Sequence, residues 1–473
     1  MSSGTFFPVS PSETLKALYV GKSIRDVETP AAIMDVSAAK RNCDRMLDAC
    51  KSLGLDWRAH IKTHKTVELT KLQVGDDATR PARIVISTLA EGEFVLPLLK
   101  EYRSQGRAVN VLYGLPIAPG SIPRLAALGK ELGPGSISVL LDDPAQLPGL
   151  EKFRVLSGGI VPHALIKIDM GGRRAGVVAN SDQFTALVDS ALAAHVAGIL
   201  ILSGLYSHAG HSYAGDSRVA AMKMMGAELS AMLEGADAIL GRAKTALPPL
   251  LLSAGASPTA LSVQNVLSSS SEGGGPAEPE LVAEANALSG LFATIRQRSH
   301  VVEIHAGVYP TMDLQQLSAN SLEKSLLSWR DIAFTVLAEV HSVYPGRGDA
   351  GRPEVLIGAG GLALGREFCK AYPGMAMLTP WGREGVTLPA GDVEDFVGWI
   401  VGRFSQEHGI LTWLDRKGSA EQPDAFEVGQ KVRLWPNHSC ITGSHFGWYF
   451  VVDESREGKE DEIVDIWVRT RGW

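Results

Sequence analysis

The sequence predicts an α/β protein: a (β/α)8 TIM-type barrel followed by a mainly β domain. Three observations carry that prediction. Eight short apolar, β-rich runs alternate with helical stretches between residues 55 and 307. The runs are nearly continuous in apolar character, which suits parallel strands covered on both faces. Beyond about residue 325 the pattern changes to extended segments separated by polar turns. At 473 residues the chain exceeds one ordinary single-core domain, so a barrel with an addition fits its length. A doubly wound open sheet is the alternative, and the count of eight favours the barrel.

In order along the chain, a lead-in ends at Pro30 and a helix is predicted over 36–53, with Cys43 and Cys50 on its buried side. The eight strands are LDWRAHI (55–61), RIVISTL (83–89), VNVLYG (109–114), ISVLLDD (137–143), HALIKID (163–169), GILILSG (198–204), PPLLLSA (248–254) and VVEIHAG (301–307). Intervals such as EGEFVLPLLKEYRSQ read as amphipathic helices. SSSSEGGGPAEPE (268–280) has no periodicity and reads as a flexible surface insertion. The barrel is placed at 30–325 and the β domain at 326–473, with residues 1–29 packed on the latter. DIAFTVLAEVHSVY, PEVLIGAG, QKVRLWPN and GWYFVVD supply its strands, and a helix is expected to interrupt them at 391–408.

A formal charge of −7 and a pI near 6.0 give no basic field for nucleic acid, and no Lys/Arg run marks an anionic membrane. No stretch of apolar residues is long enough to span a bilayer, and the N-terminus lacks a basic start followed by an apolar run. Four cysteines, at 43, 50, 369 and 440, are too few for a disulfide framework. The expectation is a cytoplasmic enzyme acting on a small molecule.

After the first strand, Arg58, His60, Lys62 and His64 alternate with smaller or apolar residues, so in extended backbone they share one face. Barrel enzymes place their chemistry at the C-terminal mouth, where a lysine can form an imine with an aldehyde cofactor. An exposed basic loop accounts for the same row equally well. The segment resembles the R-x-H-x-K-T-H motif of the D-serine dehydratase and D-threonine aldolase group of fold-type III (alanine-racemase-like) pyridoxal-5′-phosphate (PLP) enzymes. The resemblance runs from Thr29-Pro30 to a C-terminal metal motif. It implies that Lys62 carries PLP.

The resemblance extends to other strand ends. It places Arg174, in the glycine-rich turn after the fifth strand, against the cofactor ring, while Arg173 reads as a surface turn. Tyr206 and Tyr213, after the sixth strand, match positions that line the PLP pocket; each is otherwise a packed core tyrosine. Loops after the seventh and eighth strands commonly cradle phosphate in such barrels, so backbone amides near Gly255 to Ser257 and Gly307, with the hydroxyl of Ser257 or Tyr309, are cofactor-binding candidates. His60, His64, His208 and His211 are pocket candidates without assigned roles. Ile357 to Gly361 lacks a dinucleotide pattern and reads as a β-domain turn, and Gly358 departs from an aspartate usual in the family.

His438 and Cys440 lie two apart, so an extended strand points both the same way, and imidazole with thiolate suits zinc. A half-buried His and Cys in a strand is the alternative. By resemblance the pair is the zinc site of eukaryotic-type D-serine dehydratases, whereas the aldolases favour a carboxylate in place of the cysteine. The resemblance thus implies a homodimeric, PLP- and zinc-dependent lyase taking D-serine to pyruvate and ammonia. D-Threonine aldolase or 3-hydroxyaspartate dehydratase activity is the nearest rival, and a non-catalytic PLP-binding protein a remote one.

Overall fold

The computed structural model describes residues 7–268, 278–389, 396–415, 418 and 422–473. After β1 (Ala31–Asp35), eight parallel strands close a barrel: β2 (Asp56–His60), β3 (Ala82–Ile86), β4 (Val109–Pro116), β5 (Ile137–Leu141), β6 (His163–Lys167), β7 (Ile201–Tyr206), β8 (Leu251–Ala254) and β9 (Val301–Ala306). The apolar runs in the sequence are continuous because both faces are buried. Val85, Leu112, Leu140 and Leu165 form an inner cluster with Tyr206. Their sequence neighbours Ile84, Val111, Val139 and Ile166 belong instead to the main core, with Leu99, Leu125, Phe153 and Phe184 of the surrounding helices. This is the period of two expected of a strand.

The same alternation sorts the polar residues. On β2, β8 and β9 the positions between outward-facing Ala59, Leu252 and Ile304 are Arg58, His60, Ser253, Glu303 and His305, all buried. One sector of the barrel interior is therefore polar and the other apolar.

The second domain is a nine-stranded sheet. Its C-terminal strands are β10 (Phe334–Tyr344), β11 (Glu354–Ile357), β12 (Ala376–Leu378), β13 (Val397–Phe404), β14 (Gly409–Asp415), β15 (Lys431–Pro436), β16 (Trp448–Val452) and β17 (Asp465–Val468), in the order β11-β14-β13-β12-β15-β10-β1-β16-β17. β1 lies inside it, antiparallel to β10 with Ala31 opposite Leu337, and parallel to β16 with Ile33 opposite Phe450. Residues Ala31–Asp35 thus belong to the sheet, not to a barrel starting at residue 30. A strand buried on both faces carries the same pattern in either place, and only its partners distinguish them. Asp35 then caps the Val36–Ser52 helix, accepting from the amides of Ser37 and Ala38, and also accepts from the Glu454 amide, so this one carboxylate joins the two domains. Leu15, Ile24 and Val27 of the lead-in pack with Phe450 and Ile466 of the sheet.

The helix expected at 391–408 is corrected: Val397–Phe404 is β13, paired along its length with β14. Its apolar, partly β-branched run is satisfied by cross-strand partners, which override the helical look of the acidic lead-in; residues 391–395 lie outside the described residues. Most of the 268–280 insertion also lies outside them. Ile357 ends β11 and the chain turns into a short Gly361–Leu364 helix. A side chain at Gly358 would meet His341 Nε2 at 2.6 Å, so the exposed His341 ring would have to move to admit one. Among the described residues, no helix is long and apolar enough to cross a membrane.

Candidate active site

β2 ends at His60, and the chain turns over Ile61 to His64, closed by a hydrogen bond from the Lys65 amide to the Ile61 carbonyl. The extended row therefore stops short. Lys62 projects into a cavity of about 620 Å³ between the barrel mouth and the β domain, a size suited to a small cofactor and substrate. His64 turns away: its Nδ1 pairs with Thr66 and its Nε2 with Gln73, and burial lowers its pKa to about 3. Lys65 pairs with buried Glu91 at 3.0 Å.

Below Lys62 the polar sector is tied together by hydrogen bonds, with His60 Nδ1 and His305 Nε2 left without a partner among the described residues. Arg58 Nε donates to Glu303 Oε1 at 2.6 Å, Ser253 Oγ donates to the same oxygen at 2.8 Å, and Ser253 Oγ lies 3.0 Å from His305 Nδ1. Burial works against the Glu303 carboxylate, but Arg58 and Arg83 outweigh it and hold it below its usual range. His305 stacks on Tyr206, with ring centroids 4.2 Å apart, and His208 follows at 5.9 Å. Burial first, and then the positive charges around them, push His60, His208 and His305 well below the ordinary imidazole value, so the three stay neutral. Lys167 lies over the Tyr206 ring at 4.5 Å, its pKa lowered to about 8 by burial and by Arg174.

Arg174, His208 and Tyr213 share the cavity with Lys62. Arg173 sits at φ 51° on an exposed turn, and His211 is exposed. The two tyrosines separate. Tyr206 is 3% exposed inside the barrel, while Tyr213 lines the cavity. The Tyr213 phenol is pushed up by burial and by Cys440.

Ser257 Oγ accepts from the Val308 amide at 3.1 Å, tying the loops after β8 and β9 together. Gly255 is required there: at φ +147°, a Cβ would lie 2.1 Å from the His305 carbonyl oxygen. Gly307 backs onto the His60 carbonyl. Tyr309 is a correction. It is wholly buried against Trp57, with its hydroxyl toward Cys43, because the residue after the turn faces the Val36–Ser52 helix and not the mouth.

His438 and Cys440 both line the cavity, but not from a strand. β15 stops at Pro436 and residues Ser439–Ser444 are helical, so His438 precedes the helix and Cys440 lies in its first turn. The two side chains nevertheless meet. Burial alone would raise the thiol, and the charge of His438 outweighs it; burial alone would lower the imidazole, and Cys440 and Asp313 raise it to about 9. Thr63, next to Lys62, brings its hydroxyl to 3.0 Å from Cys440 Sγ. Nitrogen and thiolate donors that share one cavity fit a zinc-like ion with coordination positions left open. No third His, Cys, Asp or Glu gathers with them among the described residues. In the same cavity the Lys62 amine and the Arg174 guanidinium offer an imine-forming group and a positive charge that fit PLP.

Lys167, His305, Thr63 and Gln315 are site residues the sequence reading did not single out. Lys167 and His305 were accessible in principle, as inward positions at strand ends. Thr63 acquires its partner, and Gln315 its place on the cavity wall, only through domain docking.

The barrel matches the family model for the alanine racemase N-terminal domain over residues 34–270, which with its lysine-bearing mouth defines an alanine-racemase-like, fold-type III enzyme. Residues 333–452 match the "Putative serine dehydratase domain". The chain is 38% identical to D-serine dehydratase of Schizosaccharomyces pombe over 100% of its own length and 98% of the relative's. It is 27% identical to D-threo-3-hydroxyaspartate dehydratase of Delftia sp. (strain HT23), over 94% and 98%. The solved structure of that enzyme superposes with a TM-score of 0.69 at 26% identity, covering 95% of this chain and 100% of that one. A cysteine-to-alanine variant of it, solved in a metal-free form, gives 0.70 at 25% identity, covering 96% and 100%. The chain belongs to the D-serine dehydratase family of PLP-dependent enzymes.

Proposed function

We propose that this protein is a D-serine dehydratase, releasing pyruvate and ammonia from D-serine with PLP on Lys62 and zinc on His438 and Cys440. The observation that carries the reading is the shared cavity, in which an amine from the barrel faces an imidazole and thiol from the β domain. PLP supplies an electron sink for the pair left at Cα when the α-proton is removed, and zinc supplies Lewis-acid polarisation of a substrate hydroxyl. Lys62 is the amine placed to take that proton. Arg174 and Lys370 bring two further positive charges to the cavity, while the histidines beneath stay neutral, so the field favours a phosphate and a carboxylate. The charges of His438 and Lys62 hold the Cys440 thiol below its ordinary value, which favours its role as a metal ligand. Tyr213 lines the same cavity, within the field of Cys440.

The test is purified enzyme with D-serine, L-serine, D-threonine and 3-hydroxyaspartate, with and without chelator, following pyruvate and the imine absorbance. Chelator-sensitive pyruvate from the D isomer is expected. Glycine and acetaldehyde from D-threonine, with no pyruvate from D-serine, would overturn the assignment.

A further inference from the structure

The turn after β9 clasps the segment that bears His438. Ser439 Oγ donates to the Met312 carbonyl and the Ser439 amide to Asp313 Oδ2, at 2.5 and 2.8 Å, while the Gln315 amide donates to the Asn437 carbonyl at 3.2 Å. The Gln315 side chain, on the Leu314–Ala319 helix, completes the clasp. Its Nε2 donates to the Phe368 carbonyl at 2.8 Å and its Oε1 faces His438 Nδ1 at 2.5 Å. A backbone carbonyl only accepts, so Phe368 fixes which way round the amide lies. Oε1 is then an acceptor, and Nδ1 must carry the hydrogen. Asp313, 3.9 Å from Nδ1, puts negative charge on the same side of the ring.

We infer that Gln315 is a positioning residue of the metal site, holding His438 in the Nδ1–H tautomer so that Nε2 is presented to the metal alongside Cys440. The inference rests on the zinc reading proposed above. Its physical basis is general: an imidazole whose second nitrogen donates to a fixed acceptor is both oriented and more basic at the ligating nitrogen, and loss of such an acceptor typically weakens metal binding roughly 10- to 100-fold. Gln315 belongs to the barrel side and His438 to the sheet side, so metal affinity here reports domain docking.

The test is zinc affinity of the PLP-loaded protein, by competition with a chromogenic chelator, in wild type, Gln315→Met and Gln315→Glu. Gln315→Met is expected to bind zinc about 10- to 100-fold more weakly with the Lys62 imine band unchanged. Wild-type zinc affinity in Gln315→Met overturns the inference. If Gln315→Met loses the imine band as well, Gln315→Glu decides, because it keeps an acceptor: near-wild-type zinc binding upholds the inference and loss overturns it. Zinc binding that is absent from the wild type, or untouched by Cys440→Ala, overturns the zinc reading itself.

Discussion

The two walls of the cavity are built differently. The barrel wall draws Lys62, Arg174 and His208 from the ends of separate strands, over an interior network of Arg58, Glu303, Ser253 and His305 whose members all belong to the barrel. The β-domain wall offers His438 and Cys440 from one turn, and the groups that steady them, Thr63, Asp313 and Gln315, come from the barrel. The proposed cofactor anchor is thus intrinsic to one domain, whereas the proposed metal pair is finished only when the domains meet. The two proposed sites are thereby expected to be separable by mutation.

The largest break in that comparison is expected from Lys62→Ala, which should abolish the imine absorbance and lower kcat/KM on the order of 10³-fold or more. Next comes the support of the barrel wall. Glu303→Ala leaves Arg58, 2% exposed, without its counter-charge, and should cost about 3–5 kcal/mol in a denaturant titration. Cys440→Ala should leave the imine band intact and remove the chelator-sensitive activity, about 10²-fold; coincident loss of the band would show that the walls are not separable.

Lys167 gives the pH signature. Its folded pKa of about 8 lies below the ordinary 10.5, so the fold disfavours its protonated form. The penalty is full below pH 8, shrinks as pH rises, and is gone above about 10.5. Lys167→Met should therefore be the more stable protein at pH 7, by on the order of 2–3 kcal/mol, with the difference closing between pH 8 and 10.5. An unchanging difference across that window would refute the assignment. The smallest effect is expected from Tyr206→Phe, a stability loss of about 1 kcal/mol with kcat/KM unaltered, whereas Tyr213→Phe should lower kcat/KM about tenfold.

Where periodicity sufficed, the sequence was a good guide. All eight barrel strands fall in or beside the predicted runs, because burial on both faces leaves an unbroken apolar signature. Motifs singled out Lys62 and the His438 and Cys440 pair, but the geometry expected for them was not the one realised. The row ends at His60, leaving His64 elsewhere, and the metal pair straddles the start of a helix. Of the two tyrosines the sequence favoured Tyr206 for the pocket, yet folding put Tyr206 beneath His305 and Tyr213 at the cavity.

What the sequence alone determined is local: strand and helix periods, the lysine after the first barrel strand, and the kinds of donor present. Tertiary structure decided the rest. β1 joins the distant sheet, Tyr309 turns into the core, and Gln315 meets His438 across 123 positions of chain. A side chain's type and period are fixed by its neighbours in sequence, but its hydrogen-bond partner depends on which surfaces pack, and that is settled only when the whole apolar core is buried together.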